Sequence, residues 1–173
     1  MRLTELCTAD FEEAWQILAE SFPPEERRTK EGQREIMNEE AYRLYGCREE
    51  GELLAILAVW EFETFTFLEH FAVRKAARGG GLGGTLLKEF LAGRRKTVLL
   101  EAEPPQGEIE RRRIAFYERN GFVVNRYDYI QPPLQAECAP IPLRLMTLGK
   151  PFPAPELNRI RDELYRAVYK IET

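Results

Sequence analysis

The sequence predicts a mixed α/β domain, and three observations carry that prediction. Apolar runs of strand length alternate with amphipathic stretches of helical period. The first half is rich in strands that look antiparallel, one pair of them joined by a short hairpin loop. Five glycines crowd into six positions (Gly79, Gly80, Gly81, Gly83 and Gly84) between a strand and a helix. With 173 residues there is enough chain for one domain with a sizeable core and too little for two ordinary ones, so 1–173 reads as a single domain.

A first strand covers residues 1–7. Thr8 or Asp10 caps a helix running to about Glu20, with Phe11, Trp15 and Leu18 on one face. Residues 21–28, SFPPEERR, form a loop because Pro23 and Pro24 cannot continue a helix. Thr29 caps a second helix with Ile36 and Met37 inside. Strands follow over 42–48 and 52–62, turned by Glu49, Glu50 and Gly51, and a third over 64–73. The longest apolar run, 53–60, suits a buried strand. The glycine cluster then opens a helix over 85–92 with Leu86, Leu87, Phe90 and Leu91 apolar. A strand over 97–103 is ended by Pro104 and Pro105, and a helix over 108–120 stops at Gly121. Strands over 122–129 and 143–148 and a helix over 155–171 complete the chain, with a loop from Pro132 and Pro133 between the strands. The order βααβββαβαββα gives a mixed sheet with helices packed on it.

Composition narrows the function. Asp and Glu (29) exceed Lys and Arg (25), a net charge of −4, which argues against nucleic-acid binding and suits a cationic small substrate. No apolar run reaches membrane-spanning length, and the opening MRLTELCTADFEE lacks a signal-peptide core, so a cytoplasmic protein without membrane attachment is expected. Cys7, Cys47 and Cys138 are widely spaced and His70 is the only histidine, so no metal site is expected and the thiols read as reduced, small apolar groups.

Glycines permit positive φ and close backbone approach, and ahead of a helix they aim free N–H groups at an anion. RGGGLGGT therefore reads as a phosphate cradle. A P-loop fails, because Thr85 stands where the lysine belongs. A dinucleotide fingerprint is met by Gly79, Gly81 and Gly84, with Glu101 17 residues beyond Gly84. Residues 74–78 nevertheless separate the turn from its strand, and too little chain follows for a six-stranded parallel fold. A Rossmann-like oxidoreductase thus stands only as an alternative.

LEHFAVRKAARGGGLGGTLL, residues 68–87, resembles motif A of the Gcn5-related N-acetyltransferases (GNAT), whose signature Gln/Arg-x-x-Gly-x-Gly/Ala is filled by Arg78, Gly81 and Gly83. IAFYERNGF, residues 114–122, resembles motif B, a helix ending in FYxxxGF. SFPPEERR, LLEAEPP and YDYIQPP read like a group of small bacterial members. The resemblance implies the acyl-CoA N-acyltransferase fold, a central mixed, mostly antiparallel sheet splayed between strands four and five and flanked by helices. It implies acetyl-CoA as co-substrate and transfer of the acetyl group to a primary amine, small molecule or peptide, by direct attack in a ternary complex. The pantetheine arm would pair with the backbone of Phe71, Ala72 and Val73. The pyrophosphate would sit on N–H groups of Gly79, Gly80, Gly81, Leu82, Gly83, Gly84 and Thr85, with Arg78 directed at phosphate or at solvent.

Tyr117, the motif-B tyrosine, would protonate the leaving thiolate. Glu69, Glu101 and Glu103 are the base candidates. Strand alternation puts Glu101 and Glu103 on one face with Leu100 and Ala102 on the other, and turns His70, read as structural, away from Glu69. Glu69 lies among Phe67, Leu68 and Phe71, where burial would raise its pKa. Glu110 stands where motif B often carries an Asn. In the family the first helices and their loop wall the acceptor, which assigns Phe22, Glu25 and Glu26 to the substrate. A catalytically silent CoA-binding sensor is the other alternative, and a homodimer is admitted without being required.

Overall fold

Glu50 and Gly51 take left-handed backbone, φ 50° and 87°, in the computed structural model, which describes residues 2–171. Two consecutive positive φ values match the twist of antiparallel strands and make a two-residue hairpin. Met1, where the first strand is expected to begin, lies outside the described residues. The chain divides after Val98 into two compact units.

The first unit runs β1 (Leu3–Glu5), α1 (Phe11–Ser21), α2 (Lys30–Ile36), β2 (Tyr42–Glu49), β3 (Glu52–Glu61), β4 (Phe65–Val73) and α3 (Leu82–Ala92). β1 to β4 form an antiparallel sheet in chain order. β3 is buried without interruption from Ala55 to Trp60, as its apolar run predicts. α1 packs on β3 and β4 through Phe11, Ala14, Ile17 and Leu18. Trp15 sits at the margin of that face under the Arg27 guanidinium, 5.0 Å from the ring centre. α3 lays Leu82 and Leu86 against Ala55, Phe71 and Val73, which fixes its first turn near the end of β4.

Two caps differ in outcome. Thr29 caps α2 as expected, its hydroxyl accepting from the Gly32 N–H at 3.1 Å. Asp10 stands at the start of α1 but makes no cap bond, because its carboxylate accepts from the Cys7 N–H and from Arg48.

The register of β3 on β4 contains an irregularity. Ala58 faces His70 and Val59 faces Leu68, so Glu69 is an extra residue on β4, a β-bulge.

The second unit holds β5 (Thr97–Ala102) from Leu99 on, α4 (Glu108–Arg119), β6 (Phe122–Val124), β7 (Tyr129–Gln131), β8 (Ile141–Leu148) and α5 (Ala154–Ala167). β8 pairs antiparallel with β5, β6 and β7. The strand expected over 122–129 is thus two. Asn125 stands at the break: its Nδ2 donates to the Leu145 carbonyl at 2.9 Å and to the Thr147 hydroxyl at 3.1 Å, and its Oδ1 accepts from the Phe152 N–H at 2.8 Å. The chain turns there and rejoins β8 at Tyr129. Gly121, at φ 91°, ends α4 as its sequence predicts. α5 buries Leu157, Ile160 and Leu164, one helical stripe.

Candidate cofactor and active site

α3 begins three residues earlier than expected. Gly81 is its first cap, and Gly83 and Gly84 lie inside its first turn. Gly79 (φ 94°) and Gly81 (φ 78°) both need the left-handed region. A Cβ added at Gly79, Gly80 or Gly81 would meet nothing within 4 Å, so these glycines face open space. The N–H groups of Leu82, Gly83 and Gly84 open the helix, where no carbonyl of the preceding turn can accept them. Thr85 departs from expectation: its N–H donates to the Gly81 carbonyl at 3.1 Å and its hydroxyl reaches the same oxygen at 3.3 Å. The cradle is therefore three N–H groups at the positive end of a helix, which suits an anion.

Arg78 points neither at the cradle nor simply at solvent. Its Nε donates to the Val73 carbonyl at 2.8 Å and its Nη2 to the Ser21 hydroxyl at 3.3 Å. Arg74 is likewise engaged, donating to the Leu53 carbonyl at 2.7 Å. On β4, Ala72 is buried while Phe71 and Val73 are half-buried.

Glu69 is buried as expected, but the consequence for its charge is the reverse. Burial pushes its carboxyl up, yet Arg28, with His70 and Trp60, outweighs burial and holds it at about 2. Arg28 Nη1 lies 2.8 Å from Oε1 and the Trp60 indole donates to Oε2 at 3.1 Å. His70 does not turn away either. Its Nδ1 lies 3.6 Å from Glu69 Oε2, because the bulge breaks the alternation of sides. The Phe22 ring meets His70 edge-on at 4.6 Å. Glu25 is exposed and Glu26 half-buried on the same 21–28 segment.

In the second unit Tyr117 is buried between Phe116 and Phe122, both rings edge-on. Burial pushes its phenol up to about 12, the Arg113 charge opposing only in part. Glu101 and Glu103 are half-buried with Leu100 and Ala102 buried, the alternation expected. Glu103 pairs with Arg113. Glu110 folds back over Gly107 at the start of its own helix. Glu101 accepts from the hydroxyls of Tyr129 and Tyr169, the latter at 2.8 and 2.7 Å to its two oxygens. Of the two tyrosines only Tyr129 lies in a stretch with a sequence signal, YDYIQPP, and nothing local marks Tyr169.

A family model described as an acetyltransferase (GNAT) domain matches residues 40–124, a span that holds both motifs. A structure from Bacteroides thetaiotaomicron, described as an acetyltransferase of the GNAT family, superposes with a TM-score of 0.90. It is 32% identical and the match covers 99% of this chain and 100% of that one. The chain belongs to the GNAT family. YjbC of Bacillus subtilis strain 168, named as an acetyltransferase, is 34% identical over 110 residues, 62% of this chain. That stretch spans only 55% of YjbC, so the chain covers about half of that relative. The ribosomal-protein-S18-alanine N-acetyltransferase of Escherichia coli shares the fold, with a TM-score of 0.64 at 20% identity over 88% of this chain and 95% of its own. GNAT membership fixes the fold class as expected and removes the Rossmann-like alternative.

Proposed function

We propose that this GNAT chain is an N-acetyltransferase that takes acetyl-CoA and transfers its acetyl group to a primary amine by direct attack in a ternary complex. The observation that carries the reading is the open cradle of Leu82, Gly83 and Gly84 N–H groups ahead of α3, entered through two left-handed glycines. Backbone donors there suit the CoA pyrophosphate, with Gly79, Gly80 and Thr85 at its edges, and the Phe71, Ala72 and Val73 backbone suits the pantetheine arm.

The chemistry needs a neutral amine, a polarised thioester carbonyl and a stabilised leaving thiolate. Tyr117 is assigned to the thiolate. A phenol held at about 12 stays protonated near neutrality. Full transfer to a thiolate with an ordinary pKa of about 8.5 would run uphill by roughly 5 kcal/mol, so its part is to donate a hydrogen bond. Glu69 is paired with Arg28 and held ionised, which makes it a poor proton acceptor and a good structural anchor. Glu101 keeps the place of general base, its carboxylate oriented by Tyr129 and Tyr169. Phe22, Glu25 and Glu26 are assigned to the acceptor, an ammonium before it loses its proton.

The test is calorimetric titration with acetyl-CoA, followed by free-thiol release with four amines: spermidine, lysine, kanamycin and a peptide beginning with alanine. Binding and thiol release with one of them are expected. No acetyl-CoA binding refutes the reading. Binding without thiol release establishes the CoA-sensor alternative, which the engagement of Glu69 and Glu101 by other side chains also favours.

A further inference from the structure

The 21–28 segment is fastened at four places to β4 and to the glycine turn. Arg78 holds the Ser21 hydroxyl at 3.3 Å. His70 touches the Phe22 ring. His70 Nε2 lies 2.8 Å from the Glu26 carbonyl, and since a carbonyl only accepts, Nε2 carries the proton. Arg28 pairs with Glu69. The segment is also closed on itself, Arg27 Nε donating to the Phe22 carbonyl at 3.0 Å.

His70 is the pivot of this clasp, and it is held there at a cost. With Nε2–H engaged on Glu26, Nδ1 is buried 3.6 Å from Glu69 Oε2 and makes no hydrogen bond among the described residues. A buried ring nitrogen that makes no hydrogen bond is unfavourable. A leucine would avoid the cost and a glutamine could make the same bond to Glu26. Position matters as well. Residue 70 directly precedes Phe71, Ala72 and Val73. The cradle follows the C-terminal end of β4, so a pantetheine arm running back along the strand brings its thioester toward the bulge at Glu69 and His70.

We propose that His70 is a positioning residue for the acyl acceptor. It holds the backbone at Glu26 and the ring of Phe22, and so sets the wall carrying Glu25 and Glu26 against which a cationic primary amine is placed. This rests on the acetyl-CoA reading above. Its selectivity follows from what it holds: the acceptor wall, not the cradle.

His70→Leu removes both nitrogens, and His70→Gln restores a donor toward Glu26. The measurements are amide hydrogen exchange over residues 22–28, the acetyl-CoA Kd by calorimetry, and kcat and KM with the fastest amine of the four named above. In His70→Leu the amides should exchange at least tenfold faster and KM for the amine should rise about tenfold. The acetyl-CoA Kd should stay within twofold and kcat should change less than KM. His70→Gln should recover most of both effects. Unchanged exchange in His70→Leu overturns the proposal, as does a Kd for acetyl-CoA that moves with KM, or a loss of thermal stability with no split between KM and kcat. A parent protein that binds acetyl-CoA but turns over none of the four amines overturns it while leaving the cofactor site standing. A parent that does not bind acetyl-CoA refutes the reading on which it rests.

Discussion

Gly81→Asp, set against Gly81→Asn, isolates the charge of the bound phosphate. Gly81 caps α3 at φ 78°, with no atom within 4 Å of a Cβ added there. Neither substitution meets a neighbour, so the folding cost is the left-handed backbone alone, about 1 kcal/mol and similar for Asn and Asp, which tolerate that region best. For a chain of this size, 1 kcal/mol lowers Tm by roughly 2–4 °C. The ligand effect differs between the two. A carboxylate about 5 Å from a phosphate charge costs under 1 kcal/mol in bulk water and roughly 3 kcal/mol at the effective dielectric near a protein surface. The exposed turn lies between these limits, so about 2 kcal/mol, or roughly thirtyfold in Kd, is expected for Asp beyond the effect of Asn. Calorimetry with CoA at low and high salt measures it, and the Asp–Asn difference should shrink as salt rises. Equal Kd values for the parent, Gly81→Asn and Gly81→Asp, all folded, would remove the pyrophosphate from this turn.

Three further outcomes are expected. Tyr117→Phe should lower kcat about 10²-fold with little change in acetyl-CoA Kd, and a single-turnover measurement of acyl transfer at an unchanged rate would leave Tyr117 only a packing role. Glu69→Gln should cost about 3 kcal/mol at pH 7. Because the folded pKa is depressed to about 2, the stability it supplies is present above the unfolded value of about 4.5 and is lost as pH falls toward 2. Urea midpoints across that window should lose this slope in the variant, and a parallel pair of curves would refute the pairing with Arg28. Glu25→Gln with Glu26→Gln should raise KM for a cationic amine more than it changes kcat, with the effect shrinking in high salt. A preference for anionic or hydroxyl acceptors in the parent would contradict that assignment.

What the sequence made legible was whatever is encoded locally. Gly79 and Gly81 announce a turn because few other residues adopt their backbone, and Thr29 and Gly121 mark helix ends for equally local reasons. The bulge at Glu69 was invisible, since Phe67, Leu68, Glu69, His70 and Phe71 read alike with or without an extra residue, and only pairing with β3 reveals it. Hence the wrong side for His70. The charge of Glu69 is not legible locally because its partner, Arg28, lies 41 residues away, and apolar neighbours in sequence predict burial without predicting who shares it. Tyr129 and Tyr169 reach Glu101 across separations of 28 and 68 residues, one from β7 and the other from the turn that follows α5. Asn125 reads as one more residue of a strand until its side chain is seen to join the Leu145 carbonyl, the Thr147 hydroxyl and the Phe152 N–H.

The two tryptophans of the chain both touch the clasp. Trp15 stands half-buried beneath Arg27 of the 21–28 segment, while Trp60 is buried with its indole N–H on Glu69. Both rings lie against a guanidinium, Arg28 standing 5.6 Å from the Trp60 ring centre, but Trp15 is half-buried and Trp60 is fully buried and also bonded to a carboxylate. Emission from the two should therefore separate in wavelength and in access to a soluble quencher. Single Trp→Phe replacements would leave one reporter on each side of the fastening. Movement of residues 21–28 during cofactor or amine capture can then be timed by native fluorescence in a stopped-flow cell, with no dye attached.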